Sequence, residues 1–163
     1  MSIGFLLAGM LLIGNAFNNP VQGQTAGERS ANSSVYIELG GNALLYSINY
    51  DHRFGNDWGV RGGLMRAGIS DVSFTIIPLM GHYFIGTIHH LELGAGLASI
   101  SVSVDVPDAE FAGISESTVA GTFTIGYRYQ RPEGGLLFRT GLTPLVGGFG
   151  TATWAGLSVG YSF

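Results

Sequence analysis

A chain of 163 residues is one domain by length, and it is 46% hydrophobic but only 11% charged, against about 25% charged in ordinary soluble domains. Its formal charge of −4 gives no electrostatic case for nucleic acid, and zero cysteines exclude disulfides, iron–sulfur clusters, thiolate zinc sites and a lipoprotein anchor. All seven basic residues are arginine, and the 27 glycines, scattered singly and in pairs, are too many for a helical protein and too irregular for collagen.

The chain opens with MSIGFLLAGMLLIG, apolar from Ile3 to Ile13. That run is too short to span a bilayer as a helix, which takes about 20 residues, and it fits the apolar core of a secretory signal. Val21 and Gly23 are small enough for the −3 and −1 positions of a cleavage site, which makes 1–23 the predicted signal peptide and Gln24 the start of the mature chain. No Lys or Arg precedes the apolar run, so either the signal is atypical or the start codon lies upstream. Residues 24–33 (QTAGERSANS) read as a polar, disordered lead-in.

From there on, alternation with a period of two recurs to the end of the chain, and no stretch suits a transmembrane helix. A first strand, 34–41, sets Val35, Ile37 and Leu39 against Tyr36, Glu38 and Gly40. After a tight Gly41-Asn42 turn, a second at 44–54 sets Leu44, Tyr46, Ile48, Tyr50 and Phe54 against Ser47, Asn49, Asp51 and Arg53. Gly55–Asp57 leads into a third, 58–67, with Trp58, Val60 and Leu64 opposite Arg61, Gly63 and Met65. A fourth, 73–85, is apolar on both faces and contains Pro78, which predicts a bulge or local distortion because proline removes a ladder donor.

The fifth begins with Leu91, Leu93, Ala95 and Leu97 on one face, then shifts to Ile100, Val102 and Val104, which predicts a bulge near Ala98–Ser99. A loop at 105–117 carries Asp105, Asp108, Glu110 and Glu116 with no basic residue; a solvated acidic loop or a site for divalent cations would both suit it. The sixth strand, 118–130, sets Val119, Phe123, Ile125, Tyr127 and Tyr129 against Thr122, Thr124 and Arg128, and the seventh, 136–145, sets Phe138 and Leu142 against Arg139 and Thr143. The eighth runs from Thr153 to the terminus, where Leu157, Val159, Tyr161 and Phe163 alternate with Ser158, Gly160 and Ser162.

Eight strands of about ten residues, each long enough to cross a bilayer when tilted, predict an all-β protein: an eight-stranded antiparallel up-and-down transmembrane β-barrel over 34–163. The charges decide which face meets lipid. Glu38, Arg61, Glu92, Arg128 and Arg139 all lie opposite the apolar stripe of their strand, among glycine, serine and threonine. Isolated charges among small residues suit a narrow lumen where ions pair, whereas the solvated face of a soluble lipocalin-like barrel would be rich in charge. Aromatics add a second line of support. Tyr50, Phe54, Trp58, Tyr83, Phe84, Tyr127, Tyr129, Phe138, Tyr161 and Phe163 gather at one rim and Tyr46, Phe74 and Trp154 near the other, as girdles at two interfaces.

Eight amphipathic strands behind a signal, closing on an aromatic-alternating strand with Phe163, resemble the small outer-membrane β-barrels of Gram-negative bacteria, the class of OmpA, OmpX and OmpW. The resemblance covers roughly 34–163 and is one of architecture. It implies a place in the outer membrane among lipid and lipopolysaccharide, and a monomer without cofactor or metal. It also implies that Leu157, Val159, Tyr161 and Phe163 serve as the signal read by the barrel-assembly machinery. With Phe163 last, the periplasmic peptidoglycan-binding domain of full-length OmpA-like proteins is not expected.

Catalytic patterns are weak. The histidine, serine and carboxylate that lipid A-modifying barrels use have no counterpart around His52, His82 or His90, and His90 with Glu92 makes only a two-ligand metal site. An eight-stranded barrel is just wide enough to be filled by side chains, so the lumen charges predict a plugging network rather than a conduction path. The expected role is non-enzymatic: structural, envelope-integrity or minor surface binding. A narrow pore, a lipid A-modifying enzyme and a soluble ligand-binding barrel are the rivals.

Overall fold

Alternation sustained from Ser33 to Ser162 becomes eight strands in the computed structural model, which describes residues 29–104, 114–148 and 150–163. They are β1 (Ser33–Gly40), β2 (Tyr46–Phe54), β3 (Trp58–Ile69), β4 (Val72–Gly86), β5 (His89–Val104), β6 (Ile114–Gln130), β7 (Gly135–Gly147) and β8 (Gly150–Ser162). Each pairs antiparallel with its sequence neighbours, and β8 closes on β1 through Ile37 opposite Val159 and Glu38 opposite Ser158. Closure leaves no sheet edge for lipid to satisfy, which lipid cannot do. The predicted signal, residues 24–28, and residues 105–113 with Asp105, Asp108 and Glu110 lie outside the described residues.

The apolar stripes face outward. Ile37, Ile48, Leu93, Ile125, Leu142 and Val159 are exposed, while Arg61 and Arg128 are fully buried. An apolar exterior around a charged interior is the fold of a transmembrane β-barrel, the inverse of a soluble one.

Prolines shape the wall without shifting it. The β3–β4 ladder skips the rungs at 63–64 and 77–78, and the β6–β7 ladder skips those at 123–124 and 143–144. Pro78 and Pro144 sit at these gaps, where a missing N–H interrupts pairing. Register is the same on both sides of each gap, so the expected disturbance at Pro78 is a local interruption and not a bulge.

Nor does β5 contain the bulge predicted near Ala98–Ser99. Its pairing with β4 and with β6 runs unbroken from end to end. What changes there is the polarity of the surroundings. Beyond Leu97, the outward positions become Ser99, Ser101 and Ser103, and the inward ones become Ala98, Ile100 and Val102. Met65, Ile76 and Ala98 bury against Ala43, with Leu44, Ala67 and Ile100 packed beside them. Within the lipid-facing belt the barrel is polar inside; above it the wall turns polar outside, as a water-bathed barrel must. The β3–β6 strands continue past the level where β2 and β7 stop pairing with them, at Leu64 and Gly121. They make a wall rising about 17 Å over some five rungs above Ser99.

Three other expectations change. The first connection is not a tight turn on the rim: Gly41–Ala43 form a 3-10 turn buried inside the barrel, and β2 begins at Tyr46 rather than 44. Leu44, expected on the lipid stripe, has φ 70° and is spanned by a bond from Leu45 N to Ala43 O at 2.9 Å, a γ-turn of the strained, positive-φ kind. The expected disordered lead-in does not extend over 29–33. Ser30 and Ala31 donate to Pro132 O, Ala31 is buried, and Arg53 N donates to Asn32 O. Phe84 leaves the predicted girdle for the lumen, and Phe74 and Trp154 fall in the inward register, over the mouth of the barrel.

Candidate functional site

The chemistry of this chain is concentrated in the lumen, which the inward residues of all eight strands fill. In the middle layer, Glu38 on β1 accepts from Arg61 Nη2 and from Arg139 Nη1, the latter at 3.3 Å. Glu92 on β5 accepts from Arg139 Nε at 2.8 Å and Nη2 at 2.5 Å. Arg128 on β6 donates from Nη2 to Asp51 Oδ2 at 2.5 Å, and its Nη1 is 3.6 Å from Glu92 Oε2. The structure thus brings Glu38, Arg61, Glu92, Arg128 and Arg139 into one connected network. Asp51, absent from the sequence-based set, completes it.

Tyr36 stands at the centre with the guanidiniums of Arg139, Arg61 and Arg128 within 4.9, 5.6 and 5.9 Å of its ring. An aromatic face among cations lowers the repulsion between them. Glycine makes room for these groups: a Cβ at Gly94 would stand 2.7 Å from the His82 ring, which lies across it. His82 Nδ1 is 2.6 Å from Glu92 Oε1, close but off the line of a hydrogen bond.

Toward the loop end, the buried Gly41–Ala43 turn lowers Asn42 into the lumen. Its Nδ2 donates to Thr122 Oγ1 at 2.6 Å and to Phe123 O at 3.0 Å. Its Oδ1 accepts from Arg61 Nη1 and from Thr124 Oγ1, both at 3.2 Å. One side chain therefore ties the β1–β2 connection to β3 and β6. Toward the terminal end, Arg53 stacks on Phe84 at 4.0 Å and donates from Nη1 to Gln130 Oε1 at 3.1 Å, while the same nitrogen is 3.2 Å from His90 Nε2. Arg29 covers that end, donating to Ala31 O and Arg131 O.

The consequence is a filled channel. A void of ≈ 10 Å³ bounded by Glu38, Glu92, Thr124 and Arg139 has room for about one water. Among the described residues, no three His, Cys, Asp or Glu side chains gather to hold a metal ion. His90 and Glu92 do share the inner face, but His90 faces Arg53 and Glu92 is engaged by Arg139. The nearest approach to serine–histidine chemistry is Ser33 Oγ, 3.1 Å from His52 Nδ1 on the outer side of the terminal rim. Tyr50 OH, 3.0 Å from the same hydroxyl, competes for it, and among the described residues no carboxylate orients the imidazole.

The residues that sequence reasoning missed are Asp51, Asn42, Arg53 and Gln130. Asp51 and Arg53 carried a usable signal, since both lie on the polar face of β2. Asn42 carried none, because a Gly-Asn pair reads as an exposed turn.

No family model matches the chain, and no curated protein does. Among solved structures, the N-terminal β-barrel domain of Pseudomonas aeruginosa OprF superposes with a TM-score of 0.61 at 22% identity, covering 82% of this chain and 98% of that one. Ail, the attachment invasion locus protein of Yersinia pestis, superposes at 0.52 and 17% identity over 82% of this chain and 99% of that one. Its complex with the heparin analogue sucrose octasulfate gives 0.56 over the same shares, at 17% identity. At such identities what is shared is the fold.

Proposed function

We propose that this protein is a sealed barrel of the bacterial outer membrane, with a structural or surface-binding role and no catalytic one. The observation that carries the reading is the combination of an apolar exterior with a lumen closed by its own ion pairs and by the inserted Gly41–Ala43 turn. A pore would need a continuous wet path, and the arginines that would line it are instead bonded to Glu38, Asp51 and Glu92. The rising β3–β6 wall supplies the surface above the membrane. The name of one structural neighbour, an attachment invasion locus protein, supports a binding role for such a surface.

In this reading residues 1–23 direct export, lipid and lipopolysaccharide surround a monomeric barrel, and Leu157, Val159, Tyr161 and Phe163 are presented to the assembly machinery. Leu157, Val159 and Tyr161 are exposed on the outer face of β8 and Phe163 is exposed just past its end, accessible to a partner before lipid covers them. Planar-bilayer conductance of the refolded protein tests the sealed state. A silent barrel is expected; discrete steps that vanish in Arg61→Ala or Arg139→Ala would establish the pore instead.

A further inference from the structure

Five arginines are buried in the barrel, Arg29, Arg53, Arg61, Arg128 and Arg139, against three buried carboxylates, Glu38, Asp51 and Glu92. The middle layer is even: Arg61, Arg128 and Arg139 share those three carboxylates. The terminal layer is not. Arg53 reaches the neutral oxygens of Gln130 and Asn56, and Arg29 those of Ala31 and Arg131. Among the described residues neither guanidinium forms an ion pair. Asp51 is engaged by Arg128 through Oδ2, and Asp57 and Glu133, the other acids described at this end, are exposed on turns. Two buried cations are left without a counter-charge, and burying a charge is costly unless it is paired.

The same layer holds donors with nothing to donate to. Arg53 Nη1 lies 3.2 Å from His90 Nε2; a guanidinium only donates, so Nε2 accepts and the neutral ring carries its proton on Nδ1. That Nδ1, together with Arg53 Nε and Arg29 Nε, is buried without a partner among the described residues. Arg53 and His90 are each only 1% exposed. The way in is past Arg29, which precedes β1 and is held by two long bonds, 3.4 and 3.5 Å, to backbone oxygens. Burial, and after it the Arg128 guanidinium, hold the Arg29 pKa below its ordinary value against the weaker pull of Asp51 and Glu133.

We propose that Arg29, Arg53 and His90 form a site for one small, doubly charged oxyanion of the phosphate class, entering from the terminal end. Two guanidiniums match the charge of a dianion, and their bonds to it are charge-assisted. The His90 Nδ1–H adds a neutral donor that an acceptor-only ligand satisfies. A monoanion leaves one guanidinium unpaired, and a metal cation is repelled. The site belongs to the barrel interior, so it stands apart from the structural or surface-binding role proposed above.

The test is titration calorimetry on the full chain refolded in detergent, in buffer alkaline enough to make inorganic phosphate the dianion. Inorganic phosphate is the probe, sulfate the competitor of like charge and shape, and acetate the monoanion. Wild type is expected to bind phosphate saturably at a single site, with sulfate displacing it and acetate failing to do so at the same concentration. Arg29→Gln is expected to weaken binding about tenfold, the worth of one hydrogen bond to a charged group. Arg53→Gln is expected to weaken it at least as much. Arg131→Gln, which removes an exposed cation at the same end, is expected to change it less than about twofold, because salt screens such a charge. Heat-modifiable gel mobility checks the folding of every variant. Arg29 lies ahead of β1, so its variant decides the question even where Arg53→Gln does not fold. Absence of saturable phosphate binding, displacement by acetate as effective as by sulfate, or equal losses in Arg29→Gln and Arg131→Gln would overturn the proposal.

Discussion

Arg139 and Glu92 face each other with two nitrogens against two oxygens, Nε to Oε2 at 2.8 Å and Nη2 to Oε1 at 2.5 Å, both side chains buried. Such a fork fixes the distance between β5 and β7 across the lumen, strands that are not neighbours in the wall. Removing one partner strands the other charge without solvent. Glu92→Leu or Arg139→Leu is therefore expected to cost about 3–5 kcal/mol, and the double variant much less than the sum. Urea unfolding in bilayers measures the cycle; additive losses would show that the pair is not coupled.

Asn42 carries the inserted turn. Asn42→Ala removes four hydrogen bonds at once and leaves Arg61 Nη1 and the Thr124 hydroxyl without this acceptor. A loss of about 1–3 kcal/mol is expected, with the turn withdrawn from the lumen. Protease accessibility at 41–45 reads the withdrawal, and an unchanged digestion pattern would show that apolar packing of Ala43 and Leu44 suffices.

The polarity change along β5 makes a paired forecast. Leu93→Arg and Ser99→Arg lie on the same outward face, six rungs apart. The first is expected to cost about 2–4 kcal/mol and the second about 0–1, the difference between midplane and interface. Equal costs would place the two at the same depth.

Much of this was legible in the sequence, because a period of two assigns faces without reference to partners. That period alone sets Glu38, Arg61, Glu92, Arg128 and Arg139 on the face opposite the apolar stripe, and the lumen is where they lie. The same reasoning misread β5, since a switch of apolar residues from odd to even positions looks identical whether the strand bulges or its surroundings change. Only the unbroken pairing distinguishes them. Phe84 was misplaced because an aromatic near a strand end suits a lipid interface, and what it does here is stack under Arg53, a long-range contact no local pattern reveals. The Gly41–Ala43 insert was hidden in the same way: its burial depends on the width of the finished barrel.

The last strand carries a prediction about biogenesis. Deletion of Phe163 or Tyr161→Ser is expected to reduce the folded yield in cells several-fold, while refolding in detergent proceeds. These side chains are exposed, so the finished barrel loses little packing without them. Equal losses in cells and in detergent would make the stripe a stability element only.

The central claim concerns which side of the sheet meets hydrocarbon, and the absence of cysteine allows it to be measured directly. Spin labels at Leu93→Cys, Ile125→Cys and Val159→Cys, with Thr124→Cys and Ser158→Cys as inward counterparts, report collision with oxygen dissolved in lipid. Strong oxygen relaxation at 93, 125 and 159 with little at 124 and 158 is the expected result. The reverse pattern, with the leucine, isoleucine and valine sites shielded and the threonine and serine sites relaxed, would contradict it.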